Sequence, residues 1–241
     1  MSNRKLSGFT LVELMIVVAI ISVLVGFAVP RFLAARRSAN ETSAITVMRS
    51  IVGAQVSVQS AGSIDTDADG QGEFGYFGEL SGTRPARMSV SGTAAAGIAG
   101  THELSPSPLL PSMGQVSQSV VTHSGYVFQI WLPASSNTPI SGIAEDVDGG
   151  KLAGPFPDSN AGETRFCAYA WPVRAGFTGS RAFFVNQEGV ILEMPNRGAT
   201  PYSGIGNGPD YDAAFATAGD MGAGFARGVA AADGNTWRPV Q

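Results

Sequence analysis

The sequence predicts an α+β protein in which one long N-terminal helix packs on a small antiparallel β-sheet. Three observations carry that prediction. Residues Gly8 to Val29 (GFTLVELMIVVAIISVLVGFAV) form an apolar run with a single carboxylate, Glu13. Helical spacing of apolar residues continues beyond the run to about Gln59. After Ser60, short apolar stretches alternate with glycine- and proline-bearing turns, which is the pattern of strands.

Composition agrees with this layout. The chain has 241 residues, 31 of them glycine and 14 proline, too many for an all-helical protein and suited to a turn-rich, β-rich domain. With 44% hydrophobic and 14% charged residues it can bury one core of ordinary size. Its net charge of -4 gives nucleic-acid binding no electrostatic basis. The single cysteine, Cys167, excludes a disulfide framework within the chain. In the apolar stretch FCAYAW it reads as a buried core thiol.

The apolar run comes first in chain order. At about 1.5 Å per residue, Phe9 to Val29 just covers a hydrocarbon layer roughly 30 Å thick. A charge within such a span costs about 2.5 to 3.5 kcal/mol. Glu13 therefore calls for a role. Arg4 and Lys5 precede the run and mark that end as cytoplasmic, with the bulk of the chain on the far side. A secretory signal peptide has the same opening, and Gly26-Phe27-Ala28 offers it a cleavage site. A plain uncleaved anchor is a second reading. Neither gives Glu13 anything to do.

Gly8-Phe9-Thr10-Leu11-Val12-Glu13, after a short basic leader and before a long apolar helix, resembles the processing motif of type IV prepilins and of the pseudopilins of type II secretion. The resemblance implies cleavage by a prepilin peptidase between Gly8 and Phe9 and N-methylation of Phe9. It implies that Glu13 meets the terminal amine of Phe9 in a neighbouring subunit when a filament assembles on its platform. It also implies residence in the bacterial inner membrane before filament entry, partnership with other pilins or pseudopilins, and a helix bend at Pro30. Physics agrees with the pairing: an amine and a carboxylate attract strongly in a low-dielectric bundle, and a buried pair fixes register. Arg31, Arg36 and Arg37 on the exported side depart from the expected charge asymmetry. Many type IV pilins close a C-terminal loop with a disulfide, so a lone cysteine favours the pseudopilin side.

From Phe32 to about Gln59 the chain reads as the soluble half of the same helix. Ile45, Met48, Val52 and Val56 form its apolar stripe, while Arg49, Gln55 and Gln59 lie opposite. A separate helix after a break at Pro30 is the alternative. Next comes Asp65-Thr66-Asp67-Ala68-Asp69-Gly70, followed by Glu73. Alternating aspartates before a glycine are how a calcium loop begins, since they converge on one hard cation. An EF-hand needs a bidentate glutamate where this chain has Tyr76. The candidate calcium ligands are thus Asp65, Asp67, Asp69 and Glu73, with Glu79 or a carbonyl as substitutes, against a solvated acidic turn. Some pseudopilins carry calcium in their globular domain, in a loop elsewhere, and none of their ligands transfer here. Glu145, Asp146 and Asp148 before Gly149-Gly150 read as a second, solvated acidic turn.

Thr83 to Gln118 reads as irregular connection. Strands are expected at Tyr126–Leu132, Arg165–Val173, Arg181–Val185 and Val190–Met194, the last two joined as a hairpin through Asn186-Gln187-Glu188-Gly189. Three or four strands on the long helix would make a two-layer domain. Residues 196–241 are rich in glycine and alanine and are expected as surface loops or a tail. The chain thus divides into a leader (1–8), an apolar helix (9–29), the soluble half of that helix (30–60), a β-rich domain (61–195) and the terminal segment (196–241).

Nothing in the sequence supports an enzyme. His102 and His123 have no partner at metal-ligand spacing, and no nucleophile elbow or phosphate loop occurs. Gly204-Ile205-Gly206-Asn207-Gly208 lies in a proline-flanked segment, not between a strand and a helix. The expected function is a structural filament subunit. The alternative is a membrane-anchored, exported binding module.

Overall fold

In the computed structural model, which describes residues 9–240, helix α1 runs from Leu11 to Ala61 without interruption, with Pro30 inside it. It stops at Gly62, whose left-handed conformation (φ 60°) lets its amide and that of Ser63 reach back to Val58 and Gln59 carbonyls. Two short helices, α2 (Phe77–Leu80) and α3 (Ser159–Gly162), lie beside it. The strands are β1 (Met88–Val90), β2 (Thr93–Ala95), β3 (Val116–Ser117), β4 (Val120–His123), β5 (Tyr126–Pro133), β6 (Gly142–Ala144), β7 (Cys167–Pro172), β8 (Arg181–Asn186), β9 (Leu192–Pro195) and β10 (Arg238–Pro239).

β1 and β2 make a separate hairpin, and the other eight strands form one antiparallel sheet. Its order is β10-β9-β8-β7-β5-β4-β3, with β6 pairing the second half of β5 where β4 leaves off. The α+β architecture is as expected, a long helix on an antiparallel sheet, but the sheet has more strands than the three or four foreseen. Within the stretch expected as irregular, Thr83–Gln118, lie the β1–β2 hairpin, a single 3-10 turn at Pro111–Gly114 and β3.

Side-chain alternation splits the central strands between two cores. Phe128, Ile130 and Leu132 of β5, Ala168 and Ala170 of β7, and Phe183 and Val185 of β8 face α1. From α1 they meet Ala44, Met48, Ile51, Ala54 and Val58, spaced at the helical period. This stripe is rotated from the one the sequence suggests. Val56 is exposed, Ile45 and Val52 are half-buried, and Gln55, expected on the outer face, is fully buried. Ala44 and Ala54 let the helix approach closely, and Gln55 exchanges two 2.8 Å hydrogen bonds with the backbone of Gly75. A polar side chain is accommodated there because both its ends are satisfied.

The opposite face of the sheet carries Val127, Cys167, Tyr169, Trp171, Ala182, Phe184, Leu192 and Met194, and it too is buried. Residues 196–240 cover it. They are mostly loop in conformation, yet Ala214, Phe215, Met221 and Trp237 are inserted against the sheet, so this segment is not the surface tail expected from its composition. Phe184 stacks edge-on with Phe215 at 5.5 Å, and Tyr169 meets Trp237 at 6.0 Å. The glycines serve close approach. Trp171 donates its indole N–H to the Gly204 carbonyl at 2.7 Å, and Gly208 lies so near the indole that a Cβ would clash. The Gly204–Gly208 sequence is thus a lid over Trp171. Cys167 is fully buried, and burial pushes its thiol well above the ordinary range.

A charged cluster sits under α2. Arg87 is 2% exposed and donates from Nε to Glu79 (2.9 Å), from Nη1 to Glu73 (3.1 Å) and from Nη2 to the Phe74 carbonyl (2.6 Å). Nearby, Glu145 is 2% exposed, contrary to the solvated turn expected for it. Gly149 and Gly150 turn the chain back through left-handed conformations, so the Gly150 amide, with that of Gly78, donates to one Glu145 oxygen at 3.0 and 3.2 Å. Its other oxygen has no partner among the described residues. Asp146 stays at the surface and pairs with Lys151 at 2.7 Å.

Burial pushes the Glu145 carboxyl up to about 8, only partly offset by the two amides. The folded state therefore holds this proton more tightly than the unfolded chain. The stability it contributes is complete below the ordinary carboxylate range and is lost as pH rises through about 8. Glu145→Gln, which stays neutral, is expected to flatten the stability profile over this window. At pH 9 it should exceed the parent by a few kcal/mol, since each tenfold difference in proton affinity between the folded and unfolded chains is worth about 1.4 kcal/mol. Denaturant melts of both proteins from pH 5 to 9 check this, and parallel profiles would contradict a neutral Glu145.

Candidate functional site

The helix docks on the head only in its second half. Going outward, its contacts begin with Arg37, which donates to the Gly176 carbonyl at 3.1 Å, and Asn40, which donates to that of Thr178 at 2.8 Å. Glu41 follows, accepting from the Ser180 amide and from Arg181, each at 2.8 Å. Arg181 in turn pairs with Glu193, so α1 is tied to β8 and β9 together. Before Arg37 the helix stands clear of the domain, and Phe9 through Leu33 expose large apolar side chains around its whole circumference. Its most apolar window has none of its residues buried, and it is long enough to cross a membrane.

Glu13 lies in the first turn of this free helix. Its Oε2 accepts from the Thr10 amide (2.9 Å) and hydroxyl (2.7 Å), while its own amide donates to Thr10 Oγ1 at 3.2 Å. This is a capping box, which occupies otherwise unpaired helix N–H groups and places the carboxylate against the positive end of the helix. Thr10 is a capping contact that the motif reading passes over, although Thr-x-x-Glu before an apolar run is the signature that finds it. Farther along, Ser22 returns its hydroxyl to the Val18 carbonyl at 2.8 Å and so presents no unpaired donor. Gly8, the expected cleavage residue, lies outside the described residues.

The acidic loop after α1 takes only part of its expected shape. Asp65, Asp67 and Asp69 bring carboxylate oxygens within 4.8 Å of one another. Glu73 does not join them. It turns inward with Thr66, accepting from the Thr66 amide at 2.7 Å and from its hydroxyl, and pairs with Arg87. The reason is electrostatic: buried Arg87 requires counter-charge, and Glu73 and Glu79 together supply it. Neither is available to a surface cation. His102 caps a turn by accepting from the Ile98 amide at 2.9 Å, and His123 ends β4.

A free apolar helix, capped by a threonine and a glutamate at its start and rooted in an antiparallel α+β head, is the architecture of pilin-like proteins. Comparison with known proteins points the same way. Residues 3–29 match the family described as the prokaryotic N-terminal methylation motif. The chain is also similar to the type IV wide pilus major component PilA4 of Thermus thermophilus, with 54% identity over 39 residues. That match covers 16% of this chain and 30% of the relative's length. No solved structure matches the chain. The N-terminal segment therefore carries the prokaryotic N-terminal methylation motif and is similar to the start of a type IV pilin, and its apolar helix is compatible with membrane anchoring.

Proposed function

We propose that the chain is a structural subunit of a type IV pilus-like or type II secretion pseudopilus filament. The observation that carries this reading is the first half of α1, whose apolar side chains are exposed on all sides and packed against none of the described residues of the head. Lipid satisfies such a surface before assembly, and copies of the same helix satisfy it afterwards. In this reading prepilin peptidase cuts between Gly8 and Phe9, Phe9 is N-methylated, and the subunit leaves the inner membrane through an assembly platform. Glu13 exchanges its Thr10 contacts for the Phe9 amine of a neighbour, trading a local cap for a charged pair that sets register. Pro30 supplies the bend, because without an N–H it leaves the carbonyl of Gly26 unpaired in the helix ladder.

The test is assembly of Glu13→Ala. This variant should still be processed and inserted, yet enter filaments at least about tenfold less than the parent, the equivalent of about 1.4 kcal/mol at the subunit contact. Normal incorporation of Glu13→Ala would overturn the role given to Glu13. A parent chain recovered only as a membrane monomer, never crosslinked to itself through α1, would support an anchored binding module instead.

A further inference from the structure

Where the helix enters the head, positive charge gathers from two distant parts of the chain. Arg31, Arg36 and Arg37 are the only charged residues between Glu13 and Glu41. At about 100° of turn per residue, Arg36 and Arg37 stand roughly 140° and 240° around the helix from Arg31, so the three encircle it instead of marking one face. Arg31 and Arg36 are exposed, and Arg37 is half-buried. The hydrogen bonds of Arg37 to the Gly176 carbonyl and of Asn40 to that of Thr178 fix the loop between β7 and β8 against this part of the helix. That loop adds Arg174, which is exposed, and Phe177, which is 62% exposed, with the Arg174 guanidinium 4.3 Å from the centre of the Phe177 ring. Among the described residues Phe177 is the one exposed Phe, Tyr or Trp outside the free part of α1.

This positive charge has no counter-charge within the chain. Among the described residues Arg31, Arg36, Arg37 and Arg174 take part in no ion pair. Glu41, the first carboxylate of α1 beyond them, is held by Ser180 and Arg181, and Glu193 by Arg181. The chain is acidic overall, with a net charge of -4, and every carboxylate except Glu13 lies from Glu41 onward. A basic collar at the root of an acidic head is complementary to an anionic surface and orients the head on it, because the rest of the head is repelled.

We propose that Arg31, Arg36, Arg37 and Arg174, with Phe177, dock the base of the head on an anionic phospholipid surface. This rests on the reading above that Phe9 to Val29 occupies hydrocarbon. Arg31 then stands about 3 Å and Arg37 about 12 Å beyond the apolar layer, spanning a headgroup zone roughly 5 to 8 Å deep. Guanidinium groups match phosphate oxygens in a two-pronged geometry, and their long stems let them reach up or down to the phosphates. An exposed phenylalanine suits the boundary between headgroups and acyl chains. The subunit must then break these contacts, as well as withdraw its helix, to leave the bilayer.

The test uses the full chain in vesicles of phosphatidylcholine alone or with about one-third phosphatidylglycerol. Phe177→Cys offers an accessible thiol, since Cys167 is buried, and carries an aromatic fluorophore in place of the ring. Lipid spin-labelled at its headgroup should quench this fluorophore about twofold or more strongly in the anionic vesicles, a gain that disappears in about 1 M salt, where the Debye length is about 3 Å. Adding Arg31→Gln, Arg36→Gln and Arg174→Gln, which leaves the Arg37 tie intact, should abolish the gain. Equal quenching in the two lipids, or a gain that survives these three substitutions, overturns the proposal. Weaker self-crosslinking of the substituted chain without any lipid effect also overturns it, and assigns the arginines to a neighbouring subunit. A fluorophore on Ala19→Cys reports the hydrocarbon separately. Shielding there with no lipid effect at residue 177 refutes the collar alone, whereas an Ala19 label open to water refutes the membrane reading and the collar with it.

Discussion

Arg87→Met should destabilise the head by about 3 to 5 kcal/mol, a large share of the roughly 5 to 15 kcal/mol that holds a domain together. The side chain is of similar length and apolar, so the loss does not come from a void. It comes from Glu73 and Glu79, which remain buried with side chains at most 1% exposed and no cation between them. The Phe74 carbonyl also loses a 2.6 Å donor. Burial already raises the Glu73 carboxyl in the parent, against the lowering effect of Arg87. Without Arg87 that resistance to ionisation grows, so the deficit should be largest above neutral pH and shrink toward pH 4. Adding Glu73→Gln and Glu79→Gln should restore at least half of the loss, because the fault is an unpaired charge and not an absent contact. Urea unfolding of the single and triple variants at pH 4 and pH 8 measures both claims. A deficit independent of pH would mean that Arg87 acts by packing alone.

Trp237→Ala is expected to cost about 3 to 5 kcal/mol, the range for removing a large aromatic from a packed core. Trp237 is fully buried against Tyr169 and Phe184, with ring centroids at 6.0 and 6.2 Å, and its indole N–H reaches Asp233. Asp233 also accepts from Tyr202 at 2.8 Å, so the loss spreads through the terminal segment. Limited proteolysis should then cut within residues 196–240, while the helix-facing core of Met48, Phe128 and Phe183 persists. Resistance equal to the parent would show that the second core does not depend on this residue.

What is legible in the chain before folding follows a physical division. β5, β7, β8 and β9 announce themselves because several consecutive apolar or β-branched residues are bounded by turns. β6 and β10 are only two or three residues long and show no period. Large residues suggest one stripe on α1, whereas the contact is made by Ala44 and Ala54, which the sheet can approach. The fates of Glu73 and Glu145 are illegible because a carboxylate goes inward only when a distant partner is waiting: Arg87 in one case, the Gly78 and Gly150 amides in the other. The terminal segment misleads for a related reason. Glycine and alanine resemble a tail in composition, yet they let backbone lie flat on Trp171 and between the rings of the second core. Of the candidate sites, the apolar run and Glu13 are legible because their meaning is local.

The first docking contact at Arg37 has a mechanical consequence. With Phe9 to Val29 in the hydrocarbon layer, the stretch from Val29 to Arg37 rises only about 12 Å, little more than the headgroup zone. The head is then carried on a short helical strut with almost no slack beyond the weakened rung at Pro30, and the tie from Glu41 to Arg181 and Glu193 prevents it from swivelling on its stem. Any rotation imposed on the helix within the membrane plane must turn the whole head with it, as torque passes along a shaft.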